Sequence, residues 1–250
     1  MPDFTKPALL TDTPLHYCPG CTHGMVHRLI AEAVEEVGML DSCVGIAPVG
    51  CAVFAYNYFK CDFLQAAHGR APAVATGVKR ATPDNLVFVY QGDGDLASIG
   101  MAETVHSATR GENITVIFIN NGIYGMTGGQ MAPTTLAGQK TTTCVSGRDV
   151  KEQGNPIRIC ELLATLDGPA FIARTSMHDV KNIRDTKAAI VKGFRMQKEK
   201  KGFSLIEILS TCPTNFHLSP KASLDYIRDE AVKFYPLGIF KDVDGKGGLK

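Results

Sequence analysis

A chain of 250 residues with 44% hydrophobic and 20% charged residues is long enough for one large domain with a substantial core, and length alone does not require two. A formal net charge of +1 gives no electrostatic case for nucleic acid as a partner. No opening stretch reads as a signal peptide and no apolar run is long enough to span a membrane; eight cysteines without an export signal fit a reducing, cytoplasmic setting, where they more often bind metal or do redox chemistry than form structural disulfides.

Residues 1–17 carry three prolines and little periodicity and read as an arm lying on something else. Cys18-Pro19-Gly20-Cys21 follows, and from Thr22 to Val37 apolar residues recur at helical spacing up to Gly38. Cys43 to Val49 reads as a short buried strand ending in Gly50-Cys51. The aromatic-rich stretch from Phe54 to Ala67 reads as irregular, closing in His68-Gly69-Arg70, and Ala71 to Ala81 as a helix of small residues. Leu86 to Tyr90 is a strand leading into Gly92-Asp93-Gly94-Asp95. A helix follows with Ile99, Ala102, Val105, His106 and Thr109 on one face, and a second strand, Ile114 to Ile119, ends in Asn120-Asn121.

Gly125 to Asp149 has no useful periodicity, and a loop this long inside a compact domain is usually functional. Beyond it the pattern predicts a helical segment near Val150 to Leu166, a strand over Pro169 to Arg174 and a basic amphipathic helix over Lys181 to Lys201. A last clear strand, Phe203 to Leu209, ends in Ser210-Thr211-Cys212-Pro213, and a terminal helix, Ser223 to Phe234, precedes a Gly/Lys-rich tail. Strands that are continuously apolar and alternate with helices imply an α/β fold: a doubly wound, mostly parallel sheet of at least five strands, covered on both faces. The whole chain is expected to form one domain, with the arm at 1–17 and a C-terminal extension from about 217 to 250.

In such a sheet, ligands bind outside the carboxyl ends of the strands. Asp93 and Asn121 follow two strands joined by one helix, so both emerge at that edge. The Asp93 carboxylate, the Asn121 amide oxygen and the Ile123 carbonyl would suit Mg²⁺, which binds through one or two protein groups plus substrate phosphates. Gly92, Gly94, Gly122 and Gly125 would let backbone N–H groups approach a diphosphate. The pattern resembles the thiamine-diphosphate-binding motif, which opens with Gly-Asp-Gly and closes with Asn-Asn.

Cys18-x-x-Cys21 alone could be a thioredoxin-like redox pair, half a zinc site or half an iron–sulfur site. Cys51 follows the first strand and Cys212 the last, so four cysteines are expected at the edge that carries Asp93 and Asn121. That is more than a redox pair needs; tetrathiolate zinc remains an alternative to an electron carrier. Cys43 starts a strand and should lie at the opposite edge, while Cys61, Cys144 and Cys160 have no partner spacing and read as structural or incidental. His23 and His27 share a helical face with the cysteine pair and read as part of a polar helix surface.

Together these residues resemble the beta subunit of the 2-oxoacid:ferredoxin oxidoreductases, from about Tyr17 to Phe216. The specific pieces are Cys-Pro-Gly-Cys, Val49-Gly50-Cys51, His68-Gly69-Arg70, Gly92-Asp93-Gly94-Asp95, the run from Asn120 to Gln130, and Cys212-Pro213-Thr214. The resemblance implies a [4Fe–4S] cluster on Cys18, Cys21, Cys51 and Cys212, and Mg²⁺ on Asp93, Asn121 and the Ile123 carbonyl. Thiamine diphosphate contacts would be Val49, Gly50, Cys51, Ala52, His68, Gly94, Asp95, Gly125 and Met126.

The resemblance further implies CoA-dependent oxidative decarboxylation of a 2-oxoacid to acyl-CoA and CO₂, with electrons passed to ferredoxin. It also implies an alpha subunit supplying the activating glutamate, which has no convincing candidate here because Glu103 reads as a surface residue. Ferredoxin-like gamma and delta subunits are implied as well. Many members have a small polar residue and a basic residue just after the third cysteine; here Cys51-Ala52-Val53-Phe54 is more apolar. That leans toward a branched-chain substrate such as 2-oxoisovalerate, with 2-oxoglutarate or pyruvate as alternatives. A more remote alternative is a non-redox thiamine-dependent decarboxylase subunit with zinc at the cysteines.

Overall fold

The computed structural model describes residues 5–245; the first four residues of the expected arm and the last five of the expected extension lie outside the described residues. Its strands are β1 (Cys43–Ala47), β2 (Asp62–Gln65), β3 (Leu86–Gly92), β4 (Thr115–Asn120), β5 (Ile123–Tyr124), β6 (Gln130–Met131), β7 (Pro169–Ser176), β8 (Phe203–Leu209) and β9 (Gly238–Asp242). Seven of them form one sheet in the order β2-β1-β3-β4-β8-β7-β9, parallel throughout except for β9, which runs antiparallel to β7. β5 and β6 pair separately as a small antiparallel hairpin inside the long loop expected over 125–149.

The central strands are apolar along their whole length because both faces are covered. Alternation within each strand then divides the core in two. Phe88 and Tyr90 of β3, Ile117 of β4 and Ile206 of β8 face α1 (His23–Glu36) and α6 (Val180–Lys198). Val87, Val89, Val116, Phe118 and Leu205 face the other side, against α2 (Ala71–Ala81), α3 (Met101–Thr109) and α5 (Ile159–Ala164). α1 buries Val26, Leu29, Ile30, Ala33 and Val34 as its period predicts, with Met25 turned out. The arm lies on the segment before β2, where Leu9 and Thr11 exchange backbone hydrogen bonds with Lys60 and Tyr58.

Several expectations are corrected. The segment over 150–166 is two short helices, α4 (Val150–Gln153) and α5, because Gly154 takes a left-handed φ of 71° and Pro156 follows before helix can resume. Residues 54–67, expected to be irregular, hold the end of a 3₁₀ turn (Cys51–Asn57) and the edge strand β2. The Gly/Lys-rich tail contributes β9. The apolar face read on the helix after Asp93 is not its buried face: Ile99 is 48% exposed, while Leu96, Ala97, Thr104, Ser107 and Ala108 are buried. The reason is a π-turn over Asp95–Ile99, which adds residues to the first turn and rotates everything after it.

Among the described residues no helix is long and apolar enough to cross a membrane.

Candidate functional site

Four neighbouring strands, β1, β3, β4 and β8, deliver their carboxyl ends to one edge: β1 leads to Val49 and Cys51, β3 to Asp93, β4 to Asn121 and β8 to Cys212. A cavity of about 600 Å³ opens there, lined by residues from all but the last of these strands, together with His23, His68 and the turn from Ile123 to Thr127. That volume lies in the range of ligand pockets. Every thiamine diphosphate contact expected from the sequence lines it: Val49, Gly50, Cys51, Ala52, His68, Gly94, Asp95, Gly125 and Met126.

Asp93 is 2% exposed, and its carboxylate ties the two strand ends together. Oδ1 accepts from Gly94 N–H at 2.8 Å; Oδ2 accepts from Gly122 N–H at 2.6 Å and from the Thr134 hydroxyl at 2.6 Å. A carboxylate offers about four acceptor positions, so one remains on Oδ1. Asn121 Oδ1 accepts from Ile123 N–H at 3.2 Å, which turns the chain so that Asn121 and Ile123 both line the cavity. These hard oxygen donors suit magnesium. Burial, only partly offset by these hydrogen bonds, pushes the Asp93 carboxyl up to about 6; a bound cation would favour its ionised form.

Two glycines are required by geometry. A side chain on Gly94 would meet the Tyr124 ring at 2.2 Å, and Tyr124 donates its hydroxyl to Gly94 O at 3.2 Å. Gly122 sits at φ 72°, in the turn that presents its N–H to Asp93.

Asp95 lines the cavity but spends its carboxylate internally. Oδ2 accepts from Val49 N–H at 3.1 Å and Gly69 N–H at 3.2 Å, and Oδ1 from the Gln91 amide. His68 Nδ1 lies 3.1 Å from Oδ2 without hydrogen-bond alignment. Asp95 therefore fixes the Val49 and His68 loops against each other at the mouth of the site. Glu103 is not the surface residue expected: its side chain is 18% exposed, paired with Arg70 through one oxygen while Oε2 is buried without a partner among the described residues, and it stays outside the cavity. Among the described residues no glutamate lines the cavity.

Cys51 and Cys212 meet at this edge. A Cβ added to Gly125 would stand 3.4 Å from both Cys51 Sγ and Cys212 Sγ, so these sulfurs flank the turn that lines the cavity. Asn215 donates to Cys212 Sγ at 3.1 Å and to Gly125 O at 2.9 Å, fixing the two together. Burial raises the Cys21 thiol to about 12, against a hydrogen bond from His23 N–H, and the charges of Cys51, Cys212 and Cys18 add to the rise. Burial, then the charges of Cys212 and Cys18, raise Cys51 to about 11. Cys21 and Cys51 are therefore held as thiols, and a metal would have to displace their protons. Among the described residues no three His, Cys, Asp or Glu side chains are drawn together tightly enough to hold a metal ion as they stand.

His23 and His27 are not a polar helix surface: they are 3% and 1% exposed. His23 hydrogen-bonds the Tyr90 hydroxyl and stacks on the Tyr17 ring, while His27 Nε2 meets the Tyr17 hydroxyl at 2.7 Å and its ring packs at a tilt against Tyr90. Burial first, then the neighbouring histidines, lowers the His27 pKa well below 6.5. The unfolded chain therefore takes up a proton below about pH 6.5 that the native state refuses, and stability falls on acidification by up to about 1.4 kcal/mol per pH unit. We expect the thermal midpoint to drop by about 2–4 °C between pH 6.5 and 5.5 from this group. His27→Phe should remove that part of the pH dependence in melting experiments; an identical slope in both proteins would overturn the assignment.

A second ring of residues, not identified from the sequence, braces Asp93 and the end of β4. Tyr235 donates to Thr134 O at 2.9 Å, and Thr134 in turn holds Asp93. The Arg174 guanidinium lies 5.2 Å from the Tyr235 ring and 4.8 Å from the Phe240 ring, and its Nε donates to Glu207 Oε2 at 2.8 Å. Glu207 Oε1 accepts from Asn120 Nδ2 at 2.7 Å, beside Asn121. Arg174 and Glu207 face each other in register on β7 and β8 and are fully buried. The available signal was a charged residue inside each of two otherwise apolar strands. Arg148, also buried, holds the long loop through the carbonyls of Ala132, Pro133, Thr135, Gln153, Gly154 and Asn155.

Residues 48–208 match the family described as thiamine pyrophosphate enzyme, C-terminal TPP binding domain. The chain is 51% identical over 230 residues to the ketoisovalerate oxidoreductase subunit VorA of Methanothermobacter thermautotrophicus, covering 92% of this chain and 48% of the relative, so it spans about half that relative's length. It is 37% identical over 226 residues to the 2-oxoglutarate synthase subunit KorB of Methanocaldococcus jannaschii, covering 88% and 79% of the two chains. The fold is similar to a chain of the 2-oxoglutarate:ferredoxin oxidoreductase from Magnetococcus marinus, with a TM-score of 0.77 and 26% identity over 99% of this chain and 88% of that one; that structure holds 2-oxoglutarate, coenzyme A and succinyl-CoA. With this site at the carboxyl edge of this sheet, the chain belongs to the 2-oxoacid:ferredoxin oxidoreductases, as a beta-type subunit built on the thiamine pyrophosphate-binding domain.

Proposed function

We propose that this chain holds thiamine diphosphate, Mg²⁺ and a [4Fe–4S] cluster in a multi-subunit enzyme that oxidatively decarboxylates a branched-chain 2-oxoacid to its acyl-CoA, passing electrons to ferredoxin. The observation that carries the reading is the placing of Cys51 and Cys212 either side of Gly125, a residue that, with Cys51, lines the cavity of Asp93 and Asn121. When bound, thiamine diphosphate supplies the carbon nucleophile for decarboxylation, and the cluster takes the electrons singly.

The chain's own part is positioning. Asp93, Asn121 and the Ile123 carbonyl would hold the magnesium, and the backbone at Gly94 and Gly122 lets the diphosphate approach. Cys18, Cys21, Cys51 and Cys212 would hold the cluster at the same edge. Since among the described residues no glutamate lines the cavity, the activating carboxylate is assigned to an alpha subunit closing over it. The substrate reading rests on chemistry as well as likeness. Among the described residues no Lys or Arg lines the cavity to meet the second carboxylate of 2-oxoglutarate, whereas Val49, Ala52 and Met126 present apolar surface.

Co-purification with the neighbouring subunits, followed by ferredoxin reduction with 2-oxoisovalerate, 2-oxoglutarate and pyruvate, tests this. The expected result is CoA-dependent reduction with the highest kcat/KM for 2-oxoisovalerate; a preference for 2-oxoglutarate would overturn the substrate assignment. Cys212→Ser should lower the iron content of the anaerobically purified protein while leaving its circular dichroism unchanged, and unaltered iron would remove Cys212 from the ligand set.

A further inference from the structure

Two cysteines at the edge of the sheet opposite the cavity meet each other. Val44 of β1 is the register partner of Asp62 of β2, which makes Cys43 and Cys61, one residue earlier on each chain, cross-strand neighbours. Adjacent strands run about 4.8 Å apart, inside the Cα separation of about 4.4–6.8 Å that a disulfide spans. Both side chains pack into the core on the α1 side of the sheet, while Val44 points to the other side, so the two sulfurs share a face. The two thiols are close enough to act on each other's ionisation, and Gly45 of β1 lies beside the Cys61 sulfur. Cys61 is partly open to solvent and Cys43 is buried beneath it. The neighbouring Cys43 thiol lowers the Cys61 pKa, and Cys61 is the more accessible of the two, which makes it the attacking thiol of the pair.

We propose that Cys43 and Cys61 are an oxidisable dithiol that a low-molecular-weight disulfide converts to an intramolecular disulfide, stapling the base of the segment that carries Val49 to Ala52. The Cys61 thiolate attacks one sulfur of the small disulfide, forming a mixed disulfide and releasing one small thiol. Cys43 then attacks the Cys61 sulfur, forming the protein disulfide and releasing the second small thiol. Two electrons and two protons pass from the protein to the small disulfide. The pair stands at the opposite end of β1 from Cys51, so the exchange does not involve the cysteines proposed as cluster ligands and holds whether or not the function proposed above is correct.

The test is to equilibrate the full-length chain with oxidised glutathione under anaerobic conditions, block free thiols by alkylation and map peptides without reduction. The expected product is a peptide carrying Cys43 joined to one carrying Cys61, absent from Cys61→Ser and from Cys43→Ser. Oxidation should also slow proteolysis between residues 43 and 61 in the wild type and not in either variant. Recovery of both residues as alkylated thiols would overturn the proposal. So would Cys61 persisting as an unresolved glutathione adduct, and unchanged proteolysis after cross-linking would overturn the staple.

Discussion

Asp93→Asn is expected to abolish magnesium-dependent thiamine diphosphate binding without weakening the fold. Asparagine keeps the shape but loses the charge that a hard cation requires, and its amide nitrogen faces either Gly94 N–H or the two donors at Oδ2. Removing a residue that merely supports a metal ligand typically costs about 10–100-fold in affinity, so losing the carboxylate itself should cost at least about 100-fold. The fold should not suffer equally. The rise of the carboxyl from 3.8 to about 6 means that the ionised form costs the native state about 3 kcal/mol at neutral pH, a cost the amide avoids. The sign follows from linkage: with the folded pKa raised, the native state binds more protons than the unfolded chain between about pH 4 and 6, so stability falls as pH rises through that window and stays low above it. Titration calorimetry of the assembled enzyme with the cofactor and magnesium reads the first effect, and a thermal melt without added cofactor reads the second. Retained affinity would overturn the metal assignment, and a melt lowered by more than about 5 °C would show that Asp93 supports the fold instead.

That separation of fold from site also describes what could be read in advance. β3, β4, β7 and β8 stand out because strands covered on both faces are mostly apolar, with Arg174 and Glu207 the charged exceptions, and the ends of β3, β4 and β8 place Asp93, Asn121 and Cys212. β2 and β9 did not stand out because they are edge strands, half-covered along their length, where neither a continuous nor an alternating pattern is imposed. The face of α3 was misphased because a π-turn has no residue signature of its own. His23, His27, Arg174 and Glu207 share another cause. Each polar side chain is buried against a partner distant in sequence, so residue type alone suggests solvent while the tertiary contact imposes the core. Cys43 and Cys61 went unpaired for the same reason, since β2 had not been recognised.

Arg174→Met should be the most destabilising single change among the bracing residues, and its rescue separates two roles. Burial alone would push the Arg174 pKa down, but the hydrogen bond to Glu161 and the charge of Glu207 raise it overall, so the guanidinium is held as a cation. Glu161 is partly exposed and can turn to water when Arg174 is lost; Glu207 is fully buried and cannot. Breaking one side of a buried pair costs about 3–5 kcal/mol, which in a chain of 250 residues lowers the thermal midpoint by about 10–15 °C. Replacing both partners, with Glu207→Leu added, removes the orphaned charge, and much of the lost stability should return. Cofactor affinity should not return with it. Asn120 Nδ2 still lacks its acceptor, and the Tyr235 ring, which donates to Thr134 and through it supports Asp93, still lacks the guanidinium beside it. A double variant that melts near the wild type yet binds magnesium and thiamine diphosphate about 10-fold more weakly would identify the Arg174–Glu207 pair as the brace that holds both strand ends in register with the cation. Full recovery of affinity along with stability would confine the pair to the fold.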